Sequence, residues 1–202
     1  MTFQATPKLS LGATYHSVTK LSDLKTDSAA MKMAVQFGGT TDMTMALTGK
    51  MTVKDFQWPS TMGFGGAWQA TDSVMIAADV KRLNWSGVMK DFKMTFEADS
   101  SPANVATGFG GSVLDAKLYQ NWEDQTVVAL GAAWAVKQGI ALRAGYNHAS
   151  NPIPDKNLNA LFPAIVEDHV TFGAGFSERS STIDLSVTKA LEIEATNPAI
   201  GL

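Results

Sequence analysis

Three segments between Thr126 and Phe176 alternate apolar residues with small or polar ones, and a period of two restricts them to strands with unlike faces. In Thr126–Val136, Val128, Leu130, Ala132, Trp134 and Val136 share one face, while Ala129, Gly131 and Ala133 stand on the other. Ile140–His148 sets Ile140, Leu142, Ala144 and Tyr146 against Ala141, Arg143, Gly145 and Asn147. Val170, Phe172, Ala174 and Phe176 repeat the pattern against Thr171, Gly173 and Gly175. Such strands can turn their apolar face to a soluble core or to lipid, and the period alone does not separate the two.

The connections do separate them. Seven strands are expected: Lys8–Val18, Asp42–Ala70, Val74–Phe96, the three already described, and Thr182–Lys189, where Ile183, Leu185 and Val187 oppose Asp184, Ser186 and Thr188. Asp42–Ala70 reads as one long strand kinked at Pro59, because proline donates no ladder bond. A polar stretch spans Thr19–Thr40, and a Ser/Pro/Gly-rich loop spans Glu97–Gln120. The connections then run long (19–40), short (71–73), long (97–120), short (137–139), long (149–166) and short (177–181). Outer-membrane barrels have this arrangement, with short periplasmic turns and longer extracellular loops. Trp68, Trp134 and Tyr146 fall near strand ends, where aromatic girdles lie. The expected fold is therefore all-β, an antiparallel up-and-down transmembrane β-barrel in a bacterial outer membrane, with the bilayer as a partner.

Composition excludes several functions. A net charge of -3 gives no footprint for nucleic acid, and with no cysteine there are neither disulfides nor thiolate metal sites. No run reaches the roughly 18 apolar residues of a membrane helix, which leaves strands free to cross. Met1–Pro7 carries no export signal, so the expectation is either a soluble protein or a piece whose signal lies elsewhere. Enzyme signals are poor. His16, His148 and His169 have no closely spaced partners and read as lumen or loop residues. There is no Gly-x-Ser-x-Gly, and neither Gly63–Gly66 nor Gly108–Gly111 continues into a phosphate loop. Neither a cofactor nor a metal is expected, and no catalysis.

A longer set of motifs resembles a known family. Gly12-Ala13-Thr14-Tyr15-His16-Ser17, Trp58-Pro59 leading to Gly63–Trp68, and Asp79 with Asn84-Trp85-Ser86 occur in order. Leu142–Asn147 running into Asn151-Pro152-Ile153-Pro154-Asp155, then Val170–Phe176, complete the set. Together they resemble the FadL/TodX outer-membrane transporters of long-chain fatty acids and other hydrophobic compounds. The resemblance implies a fourteen-stranded barrel with an N-terminal hatch, monomeric at full length. It places the seven strands seventh to thirteenth, and makes residues 1–202 a partial barrel domain without signal, hatch, first six strands or last. The expected function is facilitated diffusion of hydrophobic compounds, with long-chain fatty acids foremost. The alternatives are a soluble all-β protein binding a lipophilic ligand, or a structural or adhesive envelope barrel.

Two groups of residues are candidates for binding. Arg143 and Asn147 share the inward face of one strand, as Asp79 and Lys81 do on another, and arginine is the natural bidentate partner of a carboxylate. The plainer reading is a solvated lumen in which these side chains pair with neighbours. The loop Ser150–Asp168 holds Pro152, Pro154, Pro163, Leu158 and Val166 as well as the candidates Ile153, Leu161, Phe162 and Ile165, an apolar load unusual for an exposed connector. It reads equally as a docking surface for a lipophilic ligand and as a loop that buries these residues over the barrel mouth.

Overall fold

The computed structural model describes residues 1–37 and 41–198, with the side chains at 35–37 and 41–43 set aside. Residues 38–40, at the end of the expected polar stretch, and residues 199–202 lie outside the described residues. From the N-terminus, β1 (Thr2–Thr6) and β2 (Leu9–His16) are followed by β3 (Thr19–Lys20), β4 (Leu24–Lys25), β5 (Ala29–Phe37), β6 (Thr41–Lys54) and β7 (Gln57–Trp58). Next come β8 (Thr61–Gln69), β9 (Val74–Leu83), a 3₁₀ turn at Trp85–Gly87 (another, Asp155–Asn157, lies between the third- and second-last strands), β10 (Asp91–Ala98), α1 (Pro102–Ala106) and β11 (Val113–Tyr119). β12 (Gln125–Lys137), β13 (Ile140–Ala149), β14 (Asp168–Glu178) and β15 (Ser181–Ala190) complete the series.

The chain divides into two compact units. The first holds residues 1–18, 59–87 and 121 onward, and its strands form one eight-stranded sheet in the order β1-β2-β8-β9-β12-β13-β14-β15. All neighbours in that sheet are antiparallel. Register keeps the two faces distinct across it. Ala132, Ala144, Phe172 and Val187 form one row, whereas Gly12, Gly65, Asp79, Ala129, Asn147 and His169 form a row on the opposite face. The tight turn before β13 depends on Gly139, which sits at φ +78°, where a side chain would also meet the Ser177 carbonyl.

The apolar face of this sheet is uncovered. Phe172 is 65% exposed and Val187 73%, and Phe64, Trp68, Leu130, Trp134, Ile183 and Leu185 are exposed as well. A soluble binding protein would fold this face over a core or pocket, so its exposure removes that alternative and leaves lipid as the solvent. Trp68 and Trp134 stand outward at the short-turn end and Tyr146 outward toward the long-loop end, as girdle residues would.

The second unit holds residues 19–58 and 88–120. Its main sheet runs β11-β10-β6-β4, with β5 also paired to β6, and β3 pairs with β7. Leu47, Phe96 and Ala98 are its buried core, packed by Met31, Met33, Met51, Phe109 and Leu114. Asn104 ties the loops above this core. Its side-chain amide donates to the Thr48 carbonyl at 2.7 Å and to Asp99 Oδ1 at 2.8 Å, and its Oδ1 accepts from Thr48 N–H.

This unit corrects the sequence reading in two places. Asp42–Ala70 is not one kinked strand, because β6 and β7 belong to the second unit and only β8 to the eight-stranded sheet. Val74–Phe96 breaks likewise between β9 and β10, at the 3₁₀ turn. Length explains the failure: a continuous Asp42–Ala70 strand would reach roughly 95 Å, several times what a bilayer crossing needs. The break points carry the chemistry for it, with Asp55 at φ +56° and the donor-less Pro59 buried. The stretches expected as loops contain β3, β4 and β5 in one case and α1 and β11 in the other. α1 is short but well delimited by Ser101 as N-cap, Pro102 in its first turn and Gly108 at φ +82° beyond its end.

Candidate functional site

The inner face of the eight-stranded sheet is built from small residues, with charges laid across them. On β8, a Cβ at Gly65 would overlap Asp79 Oδ1, and one at Gly63 would crowd Thr14 Oγ1 and the Lys81 stem. Glycine here provides room for the side chains of β2 and β9 to lie flat on the wall. The same device recurs near the short-turn rim. Arg143 on β13 and Asp184 on β15 form an ion pair of 2.7 Å across the intervening strand, and a Cβ at Gly175 of β14 would come within 2.9 Å of the guanidinium. Arg143 is therefore engaged by a partner within the wall, as the plainer sequence reading held. Asn147 lies further along β13, in the row of Asp79, Ala129 and His169.

The β13–β14 loop is anchored by aromatic packing. Trp85 and Trp122 are both buried and meet edge to face at 5.0 Å between ring centroids, and Phe162 stacks edge-on against Trp122 at 6.3 Å. Pro152 is fully buried, and Ile153 is 4% exposed. Glu123 N–H donates to the Pro152 carbonyl at 2.7 Å, and Asn151 Oδ1 accepts from Ile153 N–H at 2.9 Å. The loop is further fixed to the strand ends by Asp124. Its Oδ1 accepts from the Ser86 hydroxyl at 2.6 Å and from Ser86 N–H at 3.0 Å, while Oδ2 pairs with Arg82 at 3.3 Å. The Ser86 hydroxyl, more than Arg82, holds the Asp124 carboxyl below the ordinary carboxylate range.

The outer half of the loop is open. Leu158, Ala160, Pro163 and Ile165 line a cleft of about 530 Å³ together with Ala195 and Asn197 from the segment after β15. Asn197 closes one side by donating to the Leu158 carbonyl at 2.8 Å and to the Lys156 carbonyl at 3.3 Å. Of the four loop residues singled out in the sequence, Ile165 lines this cleft and Leu161 is 64% exposed, whereas Ile153 is buried and Phe162 packs on Trp122. Arg143 stands toward the opposite end of β13 from this loop, so the six candidates do not form one constellation.

Comparison with known proteins decides the family. The model of the family described as outer membrane protein transport protein (OMPP1/FadL/TodX) matches residues 1–197. The chain belongs to the FadL/TodX family. Among solved structures it is similar to the Pseudomonas putida toluene transporter TodX, with 28% identity and a TM-score of 0.68, covering 93% of this chain and 40% of that one. It is similar also to the Ralstonia pickettii toluene transporter TbuX, with 26% identity and a TM-score of 0.70, covering 94% of this chain and 41% of that one. A Pseudomonas aeruginosa FadL homologue shares the fold, with 15% identity and a TM-score of 0.64 over 93% of this chain and 41% of that one. The chain thus spans about two fifths of the length of these structures. No curated protein sequence matches it. As a FadL/TodX chain it belongs to a bacterial outer-membrane barrel, and its eight-stranded sheet is antiparallel wall with the exposed face against lipid.

The sequence missed Ala160, Ala195 and Asn197 as cleft residues, and Asp184 as the partner of Arg143. The second could have been read, since Arg143 and Asp184 share the inward parity on strands one apart from a common neighbour. The cleft could not, because it joins segments more than thirty residues apart with no pattern linking them.

Proposed function

We propose that the FadL/TodX protein carrying this wall admits hydrophobic compounds across the outer membrane by passive diffusion, and that uncharged monoaromatic hydrocarbons are its foremost cargo. The observation that carries the reading is the two-faced sheet: an apolar outer face fit for lipid, backed by an inner face of glycine, alanine, serine and threonine on which Asp79, Lys81, Arg143 and Asp184 lie. The open cleft around Ile165 offers an apolar solute a first place to leave water. Arg143 favours uncharged cargo, because a carboxylate would have to displace Asp184 from a 2.7 Å ion pair. TodX and TbuX, the toluene transporters, resemble the chain at higher identity than the FadL homologue does.

Long-chain fatty acids are the second reading, favoured by Lys81. It is an inward-facing cation with no ion-pair partner among the described residues, available to a carboxylate. Uptake of radiolabelled toluene and oleate by cells lacking their own transporters, with and without the complete protein, separates the two. Saturable toluene uptake, reduced several-fold by Ile165→Glu at low concentration, is the expected result. Faster uptake of oleate than of toluene would transfer the assignment to fatty acids, and no gain for either compound would remove transport altogether.

A further inference from the structure

The apolar outer face is interrupted near its long-loop rim by a compact polar patch. Tyr146, Val170 and Lys189 form one register row across β13, β14 and β15, and His148 faces Asp168 in the next row toward the rim. These residues have the same parity as Phe172 and Val187, so they stand on the lipid side. His148 is therefore neither a lumen nor a loop residue, as the sequence had suggested. Asp168 Oδ1 accepts the Tyr146 hydroxyl at 2.5 Å and is bonded to His148 Nδ1 at 2.8 Å. Among the described residues, His148 Nε2, Asp168 Oδ2 and the Lys189 ammonium make no hydrogen bond or ion pair.

The other border of the same face is different. There it runs through Trp68, Trp134, Phe176 and Ile183, all apolar or aromatic and exposed, and carries on β14 a single charged residue, the terminal Glu178, without a cation beside it in the register. Charged side chains facing lipid are costly at the bilayer centre but cost little at its borders, so the patch marks the level at which acyl chains give way to headgroups. The two leaflets of a bacterial outer membrane differ in the same sense, since its outer leaflet is built on a phosphorylated sugar headgroup. Lysine is a point charge suited to phosphate, and a carboxylate bonded to histidine suits sugar hydroxyls.

We propose that Tyr146, His148, Asp168 and Lys189 seat the phosphorylated sugar headgroup of an outer-leaflet glycolipid, with Lys189 on a phosphate and the His148–Asp168 pair on hydroxyls. The patch pairs one cation with one anion, so it selects phosphate beside hydroxyls rather than negative charge alone. This goes beyond the transport reading and does not depend on which cargo passes.

The test uses the complete protein in mild detergent, with lipid A as probe and bound lipid counted by native mass spectrometry. Lipid A should remain bound to the wild type, and Lys189→Gln or Asp168→Asn should weaken it about tenfold. Lys8→Gln, at the short-turn rim, should bind as the wild type does, and dephosphorylated lipid A should be lost. Heat-modifiable migration confirms that each variant is folded. Equal retention of lipid A by Lys189→Gln would overturn the proposal, as would equal retention of phosphatidylglycerol by the wild type.

Discussion

At the scale of single residues, the wall is arranged around places where a side chain is missing. Gly65 and Gly175 leave the space in which Asp79 and the Arg143–Asp184 pair lie against the sheet, so charge is kept close to the wall. Asp124 works differently, by gathering donors from the 3₁₀ turn and from β9 onto one carboxylate outside the membrane span. Because the Ser86 hydroxyl and the neighbouring groups lower its pKa in the folded state, the unfolded chain binds the proton more readily. Its stabilising effect is thus complete above the unfolded value near 4 and fades as pH falls through the lower folded value. Unfolding of wild type and Asp124→Asn in detergent should differ at pH 7, and the difference should shrink as pH falls below about 4. A constant difference across that range would show that the carboxylate charge is not what matters.

At the scale of elements, parity along each strand decides what a substitution does. Phe172 lies mid-strand on the lipid side of β14, and its neighbour Thr171 faces inward and meets Thr188 Oγ1 at 2.9 Å. Phe172→Lys should destabilise the inserted protein by about 2–4 kcal/mol, whereas Thr171→Lys should cost clearly less. Equilibrium unfolding from vesicles measures both, and equal costs would mean that the faces have been assigned wrongly. This parity was legible in the sequence for β12 to β15, where alternation and short turns coincide. It was misleading at Asp42–Ala70 and Val74–Phe96, because strands of the second unit alternate with the same period and follow without a strong turn signal. Only Pro59 marked one of those boundaries, and it was taken for a kink. In the site, the inward placement of Arg143 and Asn147 was readable, but the burial of Ile153 was not, since it depends on a loop packed around Trp85 and Trp122 from other segments.

At the scale of the molecule, two solvents act on one chain. The eight-stranded sheet leaves its largest side chains uncovered, while the second unit buries Leu47 and Phe96 in a water-type core. Far-UV circular dichroism after dilution from urea should therefore show the full β signal only when micelles or vesicles are present. A monodisperse species with that signal in plain buffer would contradict a lipid-facing wall. The two insertions that make up the second unit both leave from the rim opposite the tight turns, between β2 and β8 and between β9 and β12. Chain length at that rim is cheap, because doubling a flexible loop costs only about 0.6 kcal/mol. At the other rim it is not: one residue added beside Gly139 that shifted the register would exchange the faces of β13. The barrel thus has a fixed edge that sets its register and a free edge on which new surface can be acquired without altering the wall.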